Sequence, residues 1–171
     1  MGANHPDPAT MRPMDVDNLN GLKVERADAS DWAALAEIDS VAAAGDAVRL
    51  DSIRRWCAHG VTLMARDASG PVGYSVLEYN FFEQGFVTML MVAPTARRRG
   101  VGAHLLTAVE TACTTEKLFT STNVSNHPMQ QLLQRLGWHP VGLLHGLDEG
   151  DPELFYLCPS ARIHDATDTA G

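Results

Sequence analysis

The feature that most constrains the fold is an apolar segment that leads through a basic, glycine-containing turn into a second apolar segment. It reads MLMVAPTARRRGVGAHLL over residues 89–106. Pro94 ends the predicted strand, and apolar residues at helical spacing predict a helix from Gly100 to about Thr115. A strand that runs directly into a helix in this way is typical of a sheet covered by helices.

The composition of the turn is that of an anion-binding site. The first N–H groups of a helix have no internal acceptor, and the helix dipole adds positive charge there. Gly100 and Gly102 allow close approach to the backbone, and residues 97–99 are arginines that can bind phosphate with two donors each. The sequence therefore predicts a pyrophosphate site. The alternative is a solvated basic turn. The P-loop and dinucleotide patterns do not match.

The rest of the chain predicts the element order β α α β β β α β α β β, with helices on both faces of an α/β or α+β sheet. We expect residues 1–20 to be a flexible leader, 21–159 a single domain and 160–171 a frayed tail. The other predicted helices run from Ser30 to Gly45, from Ala47 to Ala58 and from Pro128 to Gly137. The predicted strands cover residues 22–27, 61–65, 72–82, 86–92, 117–122, 141–144 and 153–157.

Composition limits the partners. The formal net charge of −8 disfavours nucleic acid and suits a cationic amine. No apolar run is long enough for a membrane span, and the histidine spacing gives no zinc pair, so we expect no metal. An odd number of cysteines without a CxxC pair indicates reduced thiols and a cytoplasmic protein.

The turn resembles the acetyl-CoA motif of the GNAT acetyltransferase superfamily, [QR]xxGx[GA], which reads here Arg97-Arg98-Arg99-Gly100-Val101-Gly102. Asn126 followed by LLQRLGW at residues 132–138 resembles the family's second block, N…LY…GF. The resemblance extends over about residues 22–157. It implies a mixed, mostly antiparallel sheet of six to seven strands and acetyl-CoA as co-substrate.

The resemblance also implies cofactor-binding roles. The backbone of Met91 and Val92 would pair with the pantetheine amides as an added strand. Asn126 would contact the cofactor near its thiol end, although on the pattern alone it is an ordinary helix-entry residue. Arg97 and Arg98 would contact phosphates, and the N–H groups of Arg99, Gly100, Val101, Gly102 and Ala103 would hold the pyrophosphate.

Two positions depart from the family pattern. Thr88 stands where many relatives have a glutamate base, and Leu133 stands at the tyrosine that serves as acid. Glu78, late in a long strand, could replace the base, or it could be an outward-facing edge carboxylate. Ser125 and Asn126, at the entry to a helix, complete the candidate catalytic residues.

Two further features are candidates for acceptor binding. Asp148 and Asp151 belong to the acidic stretch LDEGDPEL at residues 147–154, which either recognises a cationic amine or is a polar turn. Phe81 and Phe82 could line a substrate wall, or they could be core residues or a partner surface.

The leading hypothesis is an N-acetyltransferase that acts on a primary amine of a small molecule by direct transfer in a ternary complex. One alternative is a CoA-binding regulatory or partner module that lacks the acid and base. Another is an acetyltransferase that acts on a protein amine. We expect no nucleic-acid or membrane partner, and the resemblance is compatible with a homodimer.

Overall fold

One seven-stranded sheet organises the chain. The computed structural model describes residues 21–159, so the predicted leader and tail lie outside the described residues. The sheet order is β1-β2-β3-β4-β5-β7-β6, and within the described range β4 and β5 are the one parallel pair. This confirms the expected mixed, mostly antiparallel sheet. The strands are β1 (Lys23–Arg26), β2 (Thr62–Asp67), β3 (Gly70–Phe81), β4 (Gln84–Val92), β5 (Leu118–Asn123), β6 (His139–Leu144) and β7 (Glu153–Leu157).

Helices cover the two faces of the sheet with separate cores. Leu35, Ile53 and Trp56 pack on Tyr74 and Val76 of β3 on the first face. The second face carries the larger core, in which the apolar side of the fourth helix is buried. The helices are α1 (Trp32–Ile38), α2 (Ser40–Ala43), α3 (Ala47–Ala58), α4 (Val101–Ala112) and α5 (His127–Arg135).

The single helix predicted between Ser30 and Gly45 is in fact two helices, because Asp39 interrupts it. The backbone of Asp39 is extended, with φ −82° and ψ 110°. Its carboxylate accepts hydrogen bonds from the N–H groups of Val41 and Ala42 and so caps α2. An aspartate is suited to this N-cap position because its side chain replaces the missing helical acceptor.

The same carboxylate of Asp39 links the helices on this face to the sheet below them. Asp39 is fully buried. It accepts a 2.6 Å hydrogen bond from the Tyr74 hydroxyl on β3 and a 3.1 Å one from Arg49 Nη1 on α3. Burial is the largest single influence on this carboxyl and acts to raise its pKa. The hydrogen bonds, led by that from Tyr74, and the Arg49 charge outweigh burial and lower the pKa below 3.8.

The parallel pair β4–β5 is short and then separates. Its register runs from Gly85–Leu118 to Val87–Thr120, and the Thr120 hydroxyl donates a 3.0 Å hydrogen bond to the Val87 carbonyl at the last rung. Beyond it, β4 pairs only with β3 and β5 only with β7. A wedge therefore opens between residues 88–92 and 121–123, and we call it the gap.

A β-bulge marks the start of the gap. Val76 is paired with Met89 and Leu77 with Val87, so Thr88 is an extra residue on β4. A bulge redirects a side chain and bends the strand that contains it. The position that departs from the family pattern is therefore also the point at which β4 turns away from β5.

We expect Asp39→Asn to lower the free energy of unfolding by about 2–3 kcal/mol, because it removes a buried charge that Arg49 and Tyr74 depend on. Urea denaturation measures this. Asp51→Asn is the matched control, since Asp51 forms an exposed pair with Arg54 and should change stability by less than about 1 kcal/mol. Equal effects of the two substitutions would contradict the role of Asp39.

The contribution of Asp39 should also depend on pH. Its folded-state pKa is lowered, so the stabilisation is complete above the unfolded value near 3.8 and is lost as pH falls through the lower folded value. The stability difference between wild type and Asp39→Asn should be constant from about pH 7 to about pH 5 and shrink below about pH 4. A difference that persists unchanged in strong acid would contradict this assignment.

Candidate active site

The start of α4 carries backbone donors that the protein leaves open. Gly100 is the N-cap, with φ +85° and no side-chain cap hydrogen bond. The first N–H to bond within the helix is that of His104, to the Gly100 carbonyl at 3.1 Å. The N–H groups at positions 101–103 therefore lack intrahelical acceptors, as the anion-site prediction requires. The positive φ explains why glycine is needed at position 100.

Gly102 is required by close packing. A Cβ on Gly102 would lie 3.1 Å from Leu132 Cδ2 on α5 and 3.8 Å from the side chains of Leu90 and Val92 on β4. At Gly102 the first turn of α4 thus packs directly on side chains of α5 and β4. This packing holds the open N–H groups of the turn beside the end of β4.

Backbone groups of β4 are exposed toward the gap. The Ala93 N–H donates to the Val72 carbonyl of β3 at 2.9 Å. Because successive residues of a strand direct their backbone groups to opposite sides, Val92 and Leu90 present theirs to the gap. The predicted pairing by Val92 fits this geometry. The predicted pairing by Met91 is wrong, because its backbone faces β3; its carbonyl lies 2.8 Å from where a Cβ on Gly73 would be.

The three arginines of the turn differ in their surroundings. Arg97 Nε lies 3.5 Å from the Val92 carbonyl, which places this side chain at the gap. Arg98 is exposed and has a positive φ of 60°. Arg99 forms a 2.9 Å ion pair with Asp67 at the end of β2. Hydrogen bonds from Ser69 and Arg99 lower the pKa of Asp67, so the pair is charged at neutral pH.

The predicted residues at the end of β5 are engaged with one another. Ser125 Oγ donates a 2.6 Å hydrogen bond to Asp151 Oδ2, and the Ser125 N–H donates to Oδ1 at 3.0 Å. Asn123 Nδ2 donates to Asp148 Oδ2 at 2.8 Å. These contacts tie the β6–β7 loop to β5 and favour the polar-turn reading of that loop. Amine recognition by Asp148 and Asp151 and a catalytic role of Ser125 stay predictions.

Asn126 acts as a helix cap in this structure. Its Oδ1 accepts a 3.3 Å hydrogen bond from the Met129 N–H at the start of α5. Leu133, at the family's tyrosine position, is fully buried in the core.

Tyr156 on β7 is paired with Thr120. Its buried hydroxyl has no hydrogen-bond partner among the described residues. The sequence did not indicate this hydroxyl as a donor.

Glu78 and Thr88 form the most suggestive pair of side chains. Thr88 Oγ1 donates a 2.6 Å hydrogen bond to Glu78 Oε2, at the bulge where the gap begins. Glu78 is half-buried and alternates with Tyr74 and Val76 on the face covered by α1–α3. The residue at the family's base position and the residue predicted to replace it are thus joined by a hydrogen bond.

A cluster of aromatic side chains lies next to the Glu78–Thr88 pair, on the same face of the sheet. Phe86, the cross-strand partner of Glu78, lies 4.9 Å from Phe81 and 6.3 Å from Phe155 between ring centroids. Phe82 lies in the hairpin turn, is 85% exposed and meets Phe81 edge-on with 5.1 Å between ring centroids, so it is not a core residue. A shallow groove of about 340 Å³ lies beside the cluster, lined by Phe81, Phe119, Val141, Gly142, Leu143, Leu144 and Phe155.

Two negative observations apply to the described range. Residues 21–159 contain no group of three or more His, Cys, Asp or Glu side chains placed to hold a metal ion. No helix in that range is both long enough and apolar enough to cross a membrane.

Structural comparison finds close matches. An acetyltransferase of the GNAT family from Bacillus cereus is 30% identical, with a TM-score of 0.76, and the match covers 82% of this chain and 99% of that chain. A diaminobutyrate acetyltransferase from Paenibacillus lautus, in complex with L-2,4-diaminobutyric acid and coenzyme A, is 19% identical, with a TM-score of 0.67 and coverage of 82% and 96%.

A third similar structure is an acetyltransferase from Salmonella typhimurium with acetyl-CoA. It is 20% identical, with a TM-score of 0.65, and the match covers 88% of this chain and 100% of that chain. A search of curated protein sequences found no match. The family model for GNAT acetyltransferases matches residues 29–138. With its open helix terminus beside separated strands, the chain belongs to the GNAT acetyltransferase family.

Proposed function

We propose that this protein is an N-acetyltransferase that moves the acetyl group of acetyl-CoA to a primary amine of a small molecule. Transfer is direct, within a ternary complex. The observation that carries the proposal is the 2.6 Å hydrogen bond between Thr88 and Glu78 at the start of the gap. This hydrogen bond orients the half-buried Glu78 carboxylate beside Thr88. Thr88 occupies the position at which the family usually has its base.

Acetyl-CoA binding is assigned to the open backbone donors. The N–H groups at positions 101–103 receive the pyrophosphate, with Arg97 and Arg98 contributing charge from the adjacent turn. The backbone of Val92 pairs with the pantetheine arm in the gap. The thioester, which is the reactive part of the co-substrate, then lies toward the bulge at Thr88.

The chemistry requires one proton to leave the amine before or during attack. Glu78 accepts that proton as general base, and the amine nitrogen then attacks the thioester carbon. A C–N bond forms, the excess proton that remains on the nitrogen passes to solvent as the C–S bond breaks, and the thiolate leaves. The Leu90 N–H also lies on the gap side, nearer to Thr88, and can stabilise the oxyanion. Leu133 offers no proton to the thiolate, so catalysis here depends on positioning and on removal of the amine proton.

The acceptor is assigned to small amines on two grounds. The net charge of −8 attracts cations, and a relative of the same fold is solved with a diamino acid. A CoA-binding module without catalysis is the second candidate, and the buried Leu133 at the acid position favours it. Turnover of an amine panel, followed by CoA release, distinguishes the two.

We expect Gly100→Asp to weaken acetyl-CoA binding by tenfold or more relative to Gly100→Asn, on the order of 1.4 kcal/mol. Asp and Asn have nearly the same size and both tolerate a positive φ, so the difference isolates the negative charge. Isothermal calorimetry measures it. An aspartate at this N-cap favours the helix, so Gly100→Asp should unfold no more readily than Gly100→Asn. Equal affinities of the two variants would contradict the proposed pyrophosphate site.

We expect Glu78→Gln to reduce kcat by about 10²–10⁴-fold, the usual contribution of a general base, with acetyl-CoA affinity unchanged. Glu83→Gln is the control, since Glu83 is an exposed glutamate in the β3–β4 turn. A Glu78→Gln enzyme as active as the Glu83→Gln enzyme would refute Glu78 as base.

Thr88→Val should have a smaller effect than Glu78→Gln. It removes the hydroxyl that orients the Glu78 carboxylate and keeps the branched shape of the side chain. We expect kcat to fall by about 3- to 30-fold, the worth of one hydrogen bond to a charged group. If Thr88→Val were kinetically silent, the hydrogen bond would not be needed for orientation.

A further inference from the structure

Arg49 is held above the same face of the sheet as Glu78. It lies in the first turn of α3, and its Nη1 donates to the buried Asp39 at 3.1 Å and to Met89 Sδ at 3.3 Å. Asp39 is itself fixed by Tyr74 and two backbone N–H groups. The guanidinium is therefore anchored at one nitrogen by a rigid, fully buried partner.

The rest of the guanidinium is available. Within residues 21–159 the hydrogen bonds of Arg49 to Asp39 and Met89 both come from Nη1, and the guanidinium also acts on the Tyr74 hydroxyl. Neither Nε nor Nη2 is a buried atom without a partner. The side chain is 22% exposed. An arginine presents five N–H donors in a planar fork, so a partly exposed Arg49 has donors beyond Nη1 that a ligand can use.

The position of these donors relative to Glu78 follows from the strand register. Met89, which Arg49 contacts, is paired with Val76, two residues before Glu78 on the same face of β3. Two residues of a strand span about 7 Å. The Arg49 contact on Met89 and the side chain of Glu78 are thus about two strand residues apart on one face, a separation that a small molecule with both charges can span.

We propose that the acceptor is an α-amino acid or a close analogue, whose carboxylate is bound by Arg49 while its amine faces Glu78. This rests on the proposed function of the same site. It adds a specificity-determining residue outside the family motif, and it explains why an arginine is held at the sheet face although only one of its nitrogens makes structural contacts. Phe86, beside Glu78, gives an apolar side chain a surface to contact.

The experiment compares acceptors that differ only in the carboxylate: phenylalanine with phenethylamine, and ornithine with putrescine. KM and kcat are measured with acetyl-CoA, and Kd by calorimetry with the CoA-bound protein. We expect the amino acid of each pair to have a KM and Kd lower by about tenfold or more, the worth of a charge-assisted hydrogen bond. Equal values within both pairs would overturn the inference.

Variants link the preference to Arg49. Arg49→Lys keeps the charge beside Asp39 but loses the fork, and it should reduce the preference several-fold. The double variant Asp39→Asn/Arg49→Met removes both charges and leaves no buried charge unpaired. It should abolish the preference for acceptors that carry a carboxylate. Arg55 is an exposed arginine on the same helix. Arg55→Met is the control and should keep the preference for the carboxylate. A preference that survives in the folded double variant would exclude Arg49.

The two proposals fail in different ways. If the amino acids bind selectively and Arg49 is required, but no acceptor is acetylated, the carboxylate site stands and the catalytic proposal fails. If amines are acetylated with no preference for a carboxylate, the catalytic proposal stands and the role of Arg49 fails.

Discussion

The separation of β4 from β5 is the constraint on which the site depends. The two strands are joined over three residue pairs, and the Thr120 hydroxyl closes the last rung on the Val87 carbonyl. Every backbone group of β4 beyond that rung must find another partner or remain open. On one side β3 provides partners. On the other side the gap leaves the Val92 N–H available, and the uncapped start of α4 lies beside it.

The bulge at Thr88 connects this opening to the chemistry. It bends β4 away from β5 and at the same time places the Thr88 hydroxyl on the Glu78 carboxylate. In the proposed function, this one irregularity of the sheet makes room for the co-substrate and orients the carboxylate that is assigned as base. The layer formed by α1–α3 completes this arrangement, because the buried Asp39 fixes both Tyr74 of the sheet and Arg49 of α3.

Sequence reasoning predicted the elements well because each carries a local signal. Periodicity, Pro94 and the glycines of the turn located β4 and the start of α4. It failed where long-range contacts decide: Asp39 ends α1 because its carboxylate binds α2, α3 and β3, and Met91 faces β3 because of strand register. Asp148 and Ser125 were candidates for chemistry, yet their partners, 25 and 26 residues away along the chain, tie down a loop. The Glu78–Thr88 pair could not be read from spacing, since the bulge changes which residues are opposite.

The most direct test of the central claim is an NMR titration of the ¹⁵N-labelled protein with acetyl-CoA. The central claim is that the gap and the open start of α4 together form the co-substrate site. The expected result is that the largest amide shifts fall on Val92 and on residues 100–103, with smaller changes at Thr88. Shifts confined to another surface, such as the groove beside Phe155, or no shifts at saturating acetyl-CoA, would contradict the account.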